Sequence, residues 1–124
     1  MANADGLRAR AKEFAVRILR FVRKLPRDPS HDAVAWQLAK SGPSVSANYH
    51  SAGRSRSRAE FIARLGVVVD EADESVHWLG VLKETGLAEG AELESLLDQG
   101  KQLRAIFLAS LATARRNHGG RNRS

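Results

Sequence analysis

The chain has 124 residues, of which 43% are hydrophobic, and it contains no cysteine. That length suits a single domain with one core, and the lack of cysteine excludes disulfides and thiolate metal sites, which fits a reducing cytoplasm. The formal net charge is +6, and no apolar run resembles a signal peptide or could cross a bilayer, so we expect a cytoplasmic protein without membrane contact.

The first two predicted helices are separated by prolines. Apolar residues recur at three- and four-residue spacing over residues 7–25, which predicts the first helix. Pro26 and Pro29 should end it, because proline supplies no amide donor and restricts the residue before it. The second helix is expected to begin near Ser30 or Asp32, since either side chain can cap exposed N–H groups.

The pair Gly42-Pro43 interrupts the second helix. Pro43 cannot donate to the carbonyl four residues back, so the pair should either kink the helix or split it in two. Apolar spacing between Val34 and Ala52 resumes in phase after the break, which favours one kinked helix.

The third and fourth helices have clearer signals. Residues 57–60, Ser-Arg-Ala-Glu, have the capping-box pattern, in which the serine and glutamate side chains satisfy each other's exposed backbone donors. An apolar stripe follows, and Gly86 is expected to end the third helix. A fourth stripe covers about residues 89–115, and Leu87 between the two helices should pack over the core.

Four helices with short connections predict an all-α fold, an antiparallel up-and-down four-helix bundle with a kinked second helix. We expect one domain over residues 1–124. Its ends, about residues 1–6 and 117–124, are expected to be flexible, because Gly119-Gly120 is followed by a short basic tail.

The positive charge is distributed unevenly along the chain. Residues 1–64 contain 13 Lys/Arg against 5 Asp/Glu, residues 65–112 contain 3 against 9, and residues 113–124 contain 4 against none. This pattern fits a basic face for a polyanion, or pairing between subunits of opposite local charge. Simple solvated helix faces are the alternative for any single charge.

The loop before the third helix is the best candidate for phosphate contact. Arg54, Arg56 and Arg58 place three guanidiniums within five residues, next to a helix N-terminus. Arg115 and Arg116 would enlarge this patch if the end of the fourth helix lies nearby. Nucleic-acid binding is therefore predicted on charge, because neither stacking aromatics nor a reading helix is evident, and a solvated connector is the alternative.

Some apolar residues of the third helix do not fit its core stripe. Val67 belongs to a run of three valines, and Trp78 and Val81 also leave the stripe. A second apolar face of this kind predicts self-association through these three residues, although a wide core stripe is the simpler explanation.

Catalytic and metal sites have weaker signals. Glu74 and His77 have the Glu-x-x-His spacing that di-metal bundles use, but a second such motif and two further inward glutamates are missing. No nucleophile elbow, phosphate loop or dinucleotide fingerprint occurs. We therefore predict no catalytic residue, no metal and no cofactor, and we keep a metal-dependent enzyme at Glu74 and His77 as an alternative.

Three stretches resemble a known family. Residues 38–49, Leu-Ala-Lys-Ser-Gly-Pro-Ser-Val-Ser-Ala-Asn-Tyr, are similar to the Ser-Gly-x-Ser-x-x-Ala-Asn segment of the bacterial "four helix bundle protein" family, named after proteins encoded in intervening sequences of large-subunit rRNA genes. The likeness continues through residues 57–65 and 71–79, which resemble the family's Ser-x-x-Glu-Phe helix start and its Glu-Ala-x-Glu-x-x-x-Trp-Leu helix middle. Helices one and four agree in length and pattern alone.

The resemblance implies a closed bundle and, as in characterised relatives, a ring-shaped homopentamer. A related branch is the accessory variability determinant of diversity-generating retroelements, a basic pentamer that engages reverse transcriptase and nucleic acid. The sequence departs from the family pattern at Pro43, Ser46 and His50-Ser51, where a threonine, a glycine and an Arg-Glu pair are usual. No residue in the three matching stretches distinguishes the retroelement branch.

These observations predict a non-enzymatic, homo-oligomeric helical protein, expected to be a pentamer, that acts as an interaction protein and binds RNA or DNA through a basic surface. Its predicted partners are its own copies and nucleic acid. A scaffold for another protein is the further alternative.

Overall fold

The computed structural model describes residues 4–123, and for residues 120–123 it describes the helical backbone alone. It contains four helices: α1 (Ala4–Arg23), α2 (Pro29–Ala52), α3 (Arg58–Thr85) and α4 (Ala91–Arg123). No strand occurs over residues 4–123, so the predicted all-α class is confirmed.

The helices pack in a ring, each against its neighbours in the chain. Extensive packing joins α1 to α2, α2 to α3 and α3 to α4, and a shorter contact between α1 and α4 closes the ring. Because the connections are short, consecutive helices run antiparallel. The predicted four-helix bundle is confirmed.

The core is formed by the apolar stripes that the sequence predicts. Large side chains from all four helices are fully buried there, among them Phe14, Ile18, Leu38, Leu65, Leu79, Leu96 and Phe107. Tyr49 packs its ring against Phe107, with ring centroids 5.0 Å apart. Leu87 also packs against this core, as predicted.

Polar side chains close the contact between α1 and α4. Arg10, Arg17 and Lys24 are seven residues apart and therefore lie on one stripe of the helix and its end. Their partners follow α4 in the antiparallel sense: Arg10 donates to Gln102 (3.1 Å), Arg17 to Gln99 (2.6 Å) and Lys24 to Glu92 (2.7 Å). Part of the basic charge of α1 is thus bound by α4 of the same chain.

The start of α2 differs from the prediction. Asp28 is the N-cap and Pro29 is the first helical residue, so the prediction of a cap at Ser30 or Asp32 is wrong. The reason is that the first residue of a helix needs no amide donor, and the fixed φ of proline suits that position. The Asp28 carboxylate accepts a hydrogen bond from the amide of His31 at 2.9 Å.

His31 joins the start of α2 to the loop between α3 and α4. Its Nδ1 lies 2.7 Å from Asp28 Oδ2 and its Nε2 lies 2.8 Å from the carbonyl oxygen of Leu87. Both partners are acceptors, so both ring nitrogens are satisfied only when the imidazole is protonated. The Leu87 carbonyl, followed by the Asp28 carboxylate, accordingly raises the pKa of His31 above its ordinary value.

The helix α2 continues through Gly42-Pro43 as one element, so its predicted continuity is confirmed. Gly42 is required by close packing, because a Cβ there would lie 2.7 Å from Cγ2 of Ile18 on α1. Beside it, the buried hydroxyls of Ser41 and Ser75 lie 2.8 Å apart, and Ser75 Oγ lies 3.0 Å from the carbonyl oxygen of Glu71. This small polar contact ties α2 to α3 inside the core.

The predicted ends of α3 are confirmed, and α4 is longer than predicted. Ser57 accepts a hydrogen bond from the amide of Glu60 (3.1 Å), and Gly86 ends the helix with φ 73°. Only that half of the capping box is found among the described contacts, because the Glu60 carboxylate pairs with Arg64 instead. The helix α4 runs to Arg123 and not to Arg115. Flexible chain ends stay a prediction, and residues 1–3 and 124 lie outside the described residues.

Candidate nucleic-acid interface

The basic connector between α2 and α3 is short and held by hydrogen bonds. Residues 53–57 link the two helices. The amide of Arg54 donates to the carbonyl of Ser51 (3.0 Å), and the amide of Ser55 donates to the carbonyl of Ala52 (3.2 Å). Ser57 then caps α3. The backbone that carries Arg54 and Arg56 is therefore fixed, while both side chains are exposed.

Arg54 and Arg56 line an open pocket of about 670 Å³ at the junction of α2 and α3. The other lining residues are His50, Ser51, Glu60 and Arg64. Three guanidiniums and one carboxylate face this pocket, and a carboxylate already bound to an arginine cannot neutralise the other two.

Arg64 forms the fixed wall of the pocket. Its guanidinium donates to the carbonyl of Ser51 near the end of α2 (2.8 Å) and pairs with Glu60 (2.9 Å). The first contact is a second hydrogen bond to a helix-terminal carbonyl that also accepts from the amide of Arg54. Arg64 and Glu60 were not predicted as site residues, although their i,i+4 spacing on the first two turns of α3 was visible in the sequence.

The structure separates the five predicted arginines. Arg58 does not line the same pocket as Arg54 and Arg56; it lines a shallow groove between α3 and α4 with Phe61, Ile106, Ala109, Ser110, Thr113, Ala114 and Asn117. Arg115 and Arg116 are exposed on α4 and line neither the pocket nor the groove. All five nevertheless lie at the same end of the bundle, because α3 begins where α4 ends.

The whole net charge of the chain falls in one half of the bundle. If each helix is divided at its middle, the half with the connector comprises residues 4–13, 41–71 and 107–123 and contains 11 Lys/Arg against 5 Asp/Glu. We call it the basic half. The other half, residues 14–40 and 72–106, contains 9 against 9, and we call it the balanced half. The charge imbalance along the sequence thus becomes an imbalance along the bundle axis.

Comparison with known proteins fits this bundle to one family. The family model described as 23S rRNA-intervening sequence protein matches residues 7–109, most of the chain. The chain belongs to that family. This finding confirms the resemblance noted on residues 38–49, 57–65 and 71–79.

A solved structure is also similar to this intervening sequence protein. It is a protein of unknown function from the S23 ribosomal protein family of Bacteroides thetaiotaomicron VPI-5482, with 27% sequence identity and a TM-score of 0.80. The match covers 88% of this chain and 97% of that chain. No curated protein matches. The comparisons therefore support the family and the fold.

The three residues predicted to form a subunit interface differ in exposure. Val67 is 44% exposed, whereas Trp78 and Val81 are partly buried and pack against the core of this intervening sequence protein. The indole Nε1 of Trp78 is buried without a hydrogen-bond partner among the described residues. The structure therefore offers Val67 for a contact between subunits more readily than Trp78 or Val81, and the interface stays a prediction.

Larger exposed apolar residues lie outside the predicted interface. Trp36 on α2 is 70% exposed, and Val16 and Leu19 on α1 are also exposed. Leu108 on α4 is 53% exposed. Trp36 was visible in the sequence as a second large aromatic, but the predicted interface used off-stripe positions of α3 alone.

The described residues give the metal alternative no further support. Glu74 is half-buried and His77 is exposed, and no group of three or more His, Asp or Glu side chains comes together over residues 4–119. His77 packs its ring edge-on to Trp78, with centroids 4.9 Å apart. In the same part of the chain, no helix is long and apolar enough to cross a membrane.

Proposed function

We propose that this intervening sequence protein is a non-enzymatic, homo-oligomeric binding protein of the cytoplasm that contacts RNA or DNA through its basic half. The observation that carries the proposal is the location of the whole net charge in that half. Neutralising phosphates with arginine and lysine releases condensed counterions, which drives binding without reading the sequence.

Unpaired arginines in the basic half support this role. The guanidiniums of Arg54, Arg56, Arg58 and Arg115 form no hydrogen bond or ion pair with the side chains or backbone of residues 4–119. A guanidinium without an internal partner keeps its donors for a phosphate, and binding then breaks no contact that stabilises the fold.

This surface favours binding to phosphates over recognition of a base sequence. The described lining of the pocket between α2 and α3 contains no Phe, Tyr or Trp, and His50 is its one ring on which a base could stack. Contacts from arginine to phosphate position a protein but carry no sequence information. We therefore expect little preference among sequences.

Self-association is the second element of the proposal. Exposed apolar residues lie on α1 and α2 (Val16, Leu19, Trp36) and on α3 and α4 (Val67, Leu108). Exposed apolar residues on different helices favour a head-to-tail contact between unlike surfaces, and such contacts close into rings when the rotation allows. A pentamer is what the family resemblance implies, so light scattering should give close to five times the 13.6 kDa of one chain.

The nucleic-acid proposal is tested by fluorescence anisotropy with labelled RNA and DNA of the same sequence over a salt series. We expect affinity to fall steeply with salt, with a slope of about 0.7 to 0.9 for each phosphate contacted. Arg54→Gln, Arg56→Gln and Arg58→Gln together should flatten that slope.

A triple variant in the balanced half provides the matched control. Arg20→Gln, Arg23→Gln and Lys40→Gln remove the same charge from exposed side chains that also lack a partner among the described residues. We expect this variant to retain most of the affinity. Equal losses in the two triple variants would show that net charge alone matters and would contradict the basic half as the binding surface.

A further inference from the structure

The pocket between α2 and α3 differs from the rest of the basic half because it is concave and partly preorganised. Its six lining residues come from the last turn of α2, the connector and the first two turns of α3. The pocket volume is about 670 Å³, enough for a phosphate group with its attached sugar. Other basic side chains of this half, such as Arg115 and Arg116, lie exposed along a helix.

Arg64 gives the pocket a fixed donor group. The Ser51 carbonyl (2.8 Å) and the Glu60 carboxylate (2.9 Å) each hold one of its terminal nitrogens, so its guanidinium is oriented before any ligand arrives. Each terminal nitrogen carries two protons, and one contact leaves a donor free on it. A ligand that binds there avoids most of the entropic cost of ordering this side chain.

Arg54 and Arg56 supply the unpaired charge of the pocket. Both side chains are exposed and form no ion pair with residues 4–119, while the backbone that carries them is tied to Ser51 and Ala52. With Glu60 bound by Arg64, the pocket has a formal charge of +2 from three guanidiniums and one carboxylate. This charge matches a dianion better than the single charge of an internal phosphodiester.

We propose that this pocket binds a terminal phosphate monoester of a nucleic-acid strand. A monoester carries about −1.5 to −2 charges near neutral pH and presents three acceptor oxygens, whereas an internal phosphate carries one charge and follows the strand. The described lining offers a base only the ring of His50 for stacking, so we expect little recognition of the base next to that phosphate. This inference rests on the proposed function, because it assigns one site within the basic half to a strand end.

The test compares three oligonucleotides of one sequence, with a 5′-phosphate, a 3′-phosphate or hydroxyl groups at both ends. Anisotropy at one salt concentration is expected to show about tenfold tighter binding of at least one phosphorylated strand, the factor of one charge-assisted hydrogen bond. Arg54→Gln with Arg56→Gln should abolish this preference. Circular dichroism checks that the variant folds, which we expect because both side chains are exposed.

Arg115→Gln with Arg116→Gln is the matched control. It removes the same charge from the same half but outside the pocket, so it should weaken all three strands and preserve the preference. Loss of the preference in both double variants would overturn the assignment of the monoester to the pocket.

The other outcomes separate this inference from the proposed function. Equal, salt-dependent binding of the three strands would overturn the terminal-phosphate site and leave the basic half as a phosphate surface. Absence of binding by any strand at low salt would overturn both proposals. Inorganic phosphate and a nucleoside monophosphate serve as competitors: if the monophosphate binds as tightly as the phosphorylated strand, the site holds a small ligand and the strand end is the wrong source.

Discussion

The balanced half and the basic half use charged residues in different ways. In the balanced half, two ion pairs are local, Arg27 with Asp32 and His31 with Asp28, and three connect different helices or their ends: Lys24 with Glu92 (2.7 Å), Lys83 with Glu94 (3.0 Å) and Arg104 with Asp73 (2.8 Å). In the basic half, the described ion pairs lie within one helix: Arg8 with Asp5 and Arg64 with Glu60. The described ion pairs between helices thus lie in the balanced half, whereas the guanidiniums of Arg54, Arg56 and Arg58 in the basic half have no described partner.

One core is shared by both halves, and Gly42 offers a test of that sharing. It lies at the middle of α2, where a Cβ would approach Cγ2 and Cβ of Ile18 to 2.7 and 2.9 Å. Gly42→Ala should lower the free energy of unfolding by about 1–3 kcal/mol, because the atoms it meets belong to a buried stem that cannot move aside. Hydrogen exchange should show the loss of protection in both halves.

Gly80→Ala on α3 is the control for Gly42→Ala. No atom lies within 4 Å of a Cβ at Gly80, so this variant should gain about 0.5–1 kcal/mol from the higher helix propensity of alanine. If Gly42→Ala loses protection from hydrogen exchange in one half only, the two halves unfold separately. That result would contradict a single core shared by both halves.

Removing the buried contact between Ser41 and Ser75, at the boundary of the two halves, should lower the free energy of unfolding by less. Ser75→Ala removes the hydroxyl that lies 2.8 Å from Ser41, and Ser41 is 1% exposed. We expect a loss of about 1 kcal/mol in urea unfolding, since one buried hydroxyl is left without that partner.

Adding Ser41→Ala to Ser75→Ala removes both partners of this contact. The double variant should lose less than the sum of the two single variants, because no hydroxyl is then left buried and unpaired. Additive losses would show that each serine acts through its own packing and not through the other.

The stability of the balanced half should depend on pH through His31. The pKa of His31 is raised in the folded chain, so the stabilisation from its protonated ring is complete below the unfolded pKa, near 6.5, and is lost as pH rises through the folded pKa. The Tm of the protein should therefore fall as pH is raised across that range, and the fall should be absent in His31→Gln.

Asp28→Asn is the second variant for the His31 contact. Asparagine still caps α2 but carries no charge, so the pKa of His31 should drop and the fall in Tm should begin at lower pH. In the parent chain the pKa of Asp28 is lowered, mainly by the hydrogen bond from the His31 amide. The contribution of the Asp28 carboxylate to stability is therefore lost only as pH falls through that pKa. An unchanged pH profile in His31→Gln would contradict the assigned contact.

Local signals predicted the helices well, and long-range contacts explain what was missed. The core stripes, the Ser57 cap and the Gly86 end depend on residues within one or two turns. The His31 contact depends on the Leu87 carbonyl, 56 residues away, and no local pattern indicates it. Asp28 was within reach of the sequence, but Pro29 was interpreted only as the end of the preceding helix.

The candidate site was predicted in part for the same reason. The arginines of the connector were visible as a cluster, whereas their separation into a pocket and a groove follows from how α3 meets α2 and α4. The division of charge between the two halves likewise requires the antiparallel order of the helices, because the sequence places basic residues at both ends of the chain.

The contacts with the smallest expected effect per pair test the difference between the halves most directly. Lys24→Gln with Lys83→Gln removes two ion pairs between distant residues of the balanced half, and Arg54→Gln with Arg56→Gln removes the same charge from the basic half. The first variant should lose about 0.2–1 kcal/mol per pair in urea unfolding, because these lysines are more than half exposed and water screens them. The second should keep its stability or gain slightly, since it reduces repulsion within an excess of positive charge.

In 1 M salt, where the screening length falls to about 3 Å, the difference between the variants should disappear. Equal losses of stability in the two variants at low salt would mean that charges of the basic half also stabilise the fold. The proposed difference between the two halves would then be contradicted.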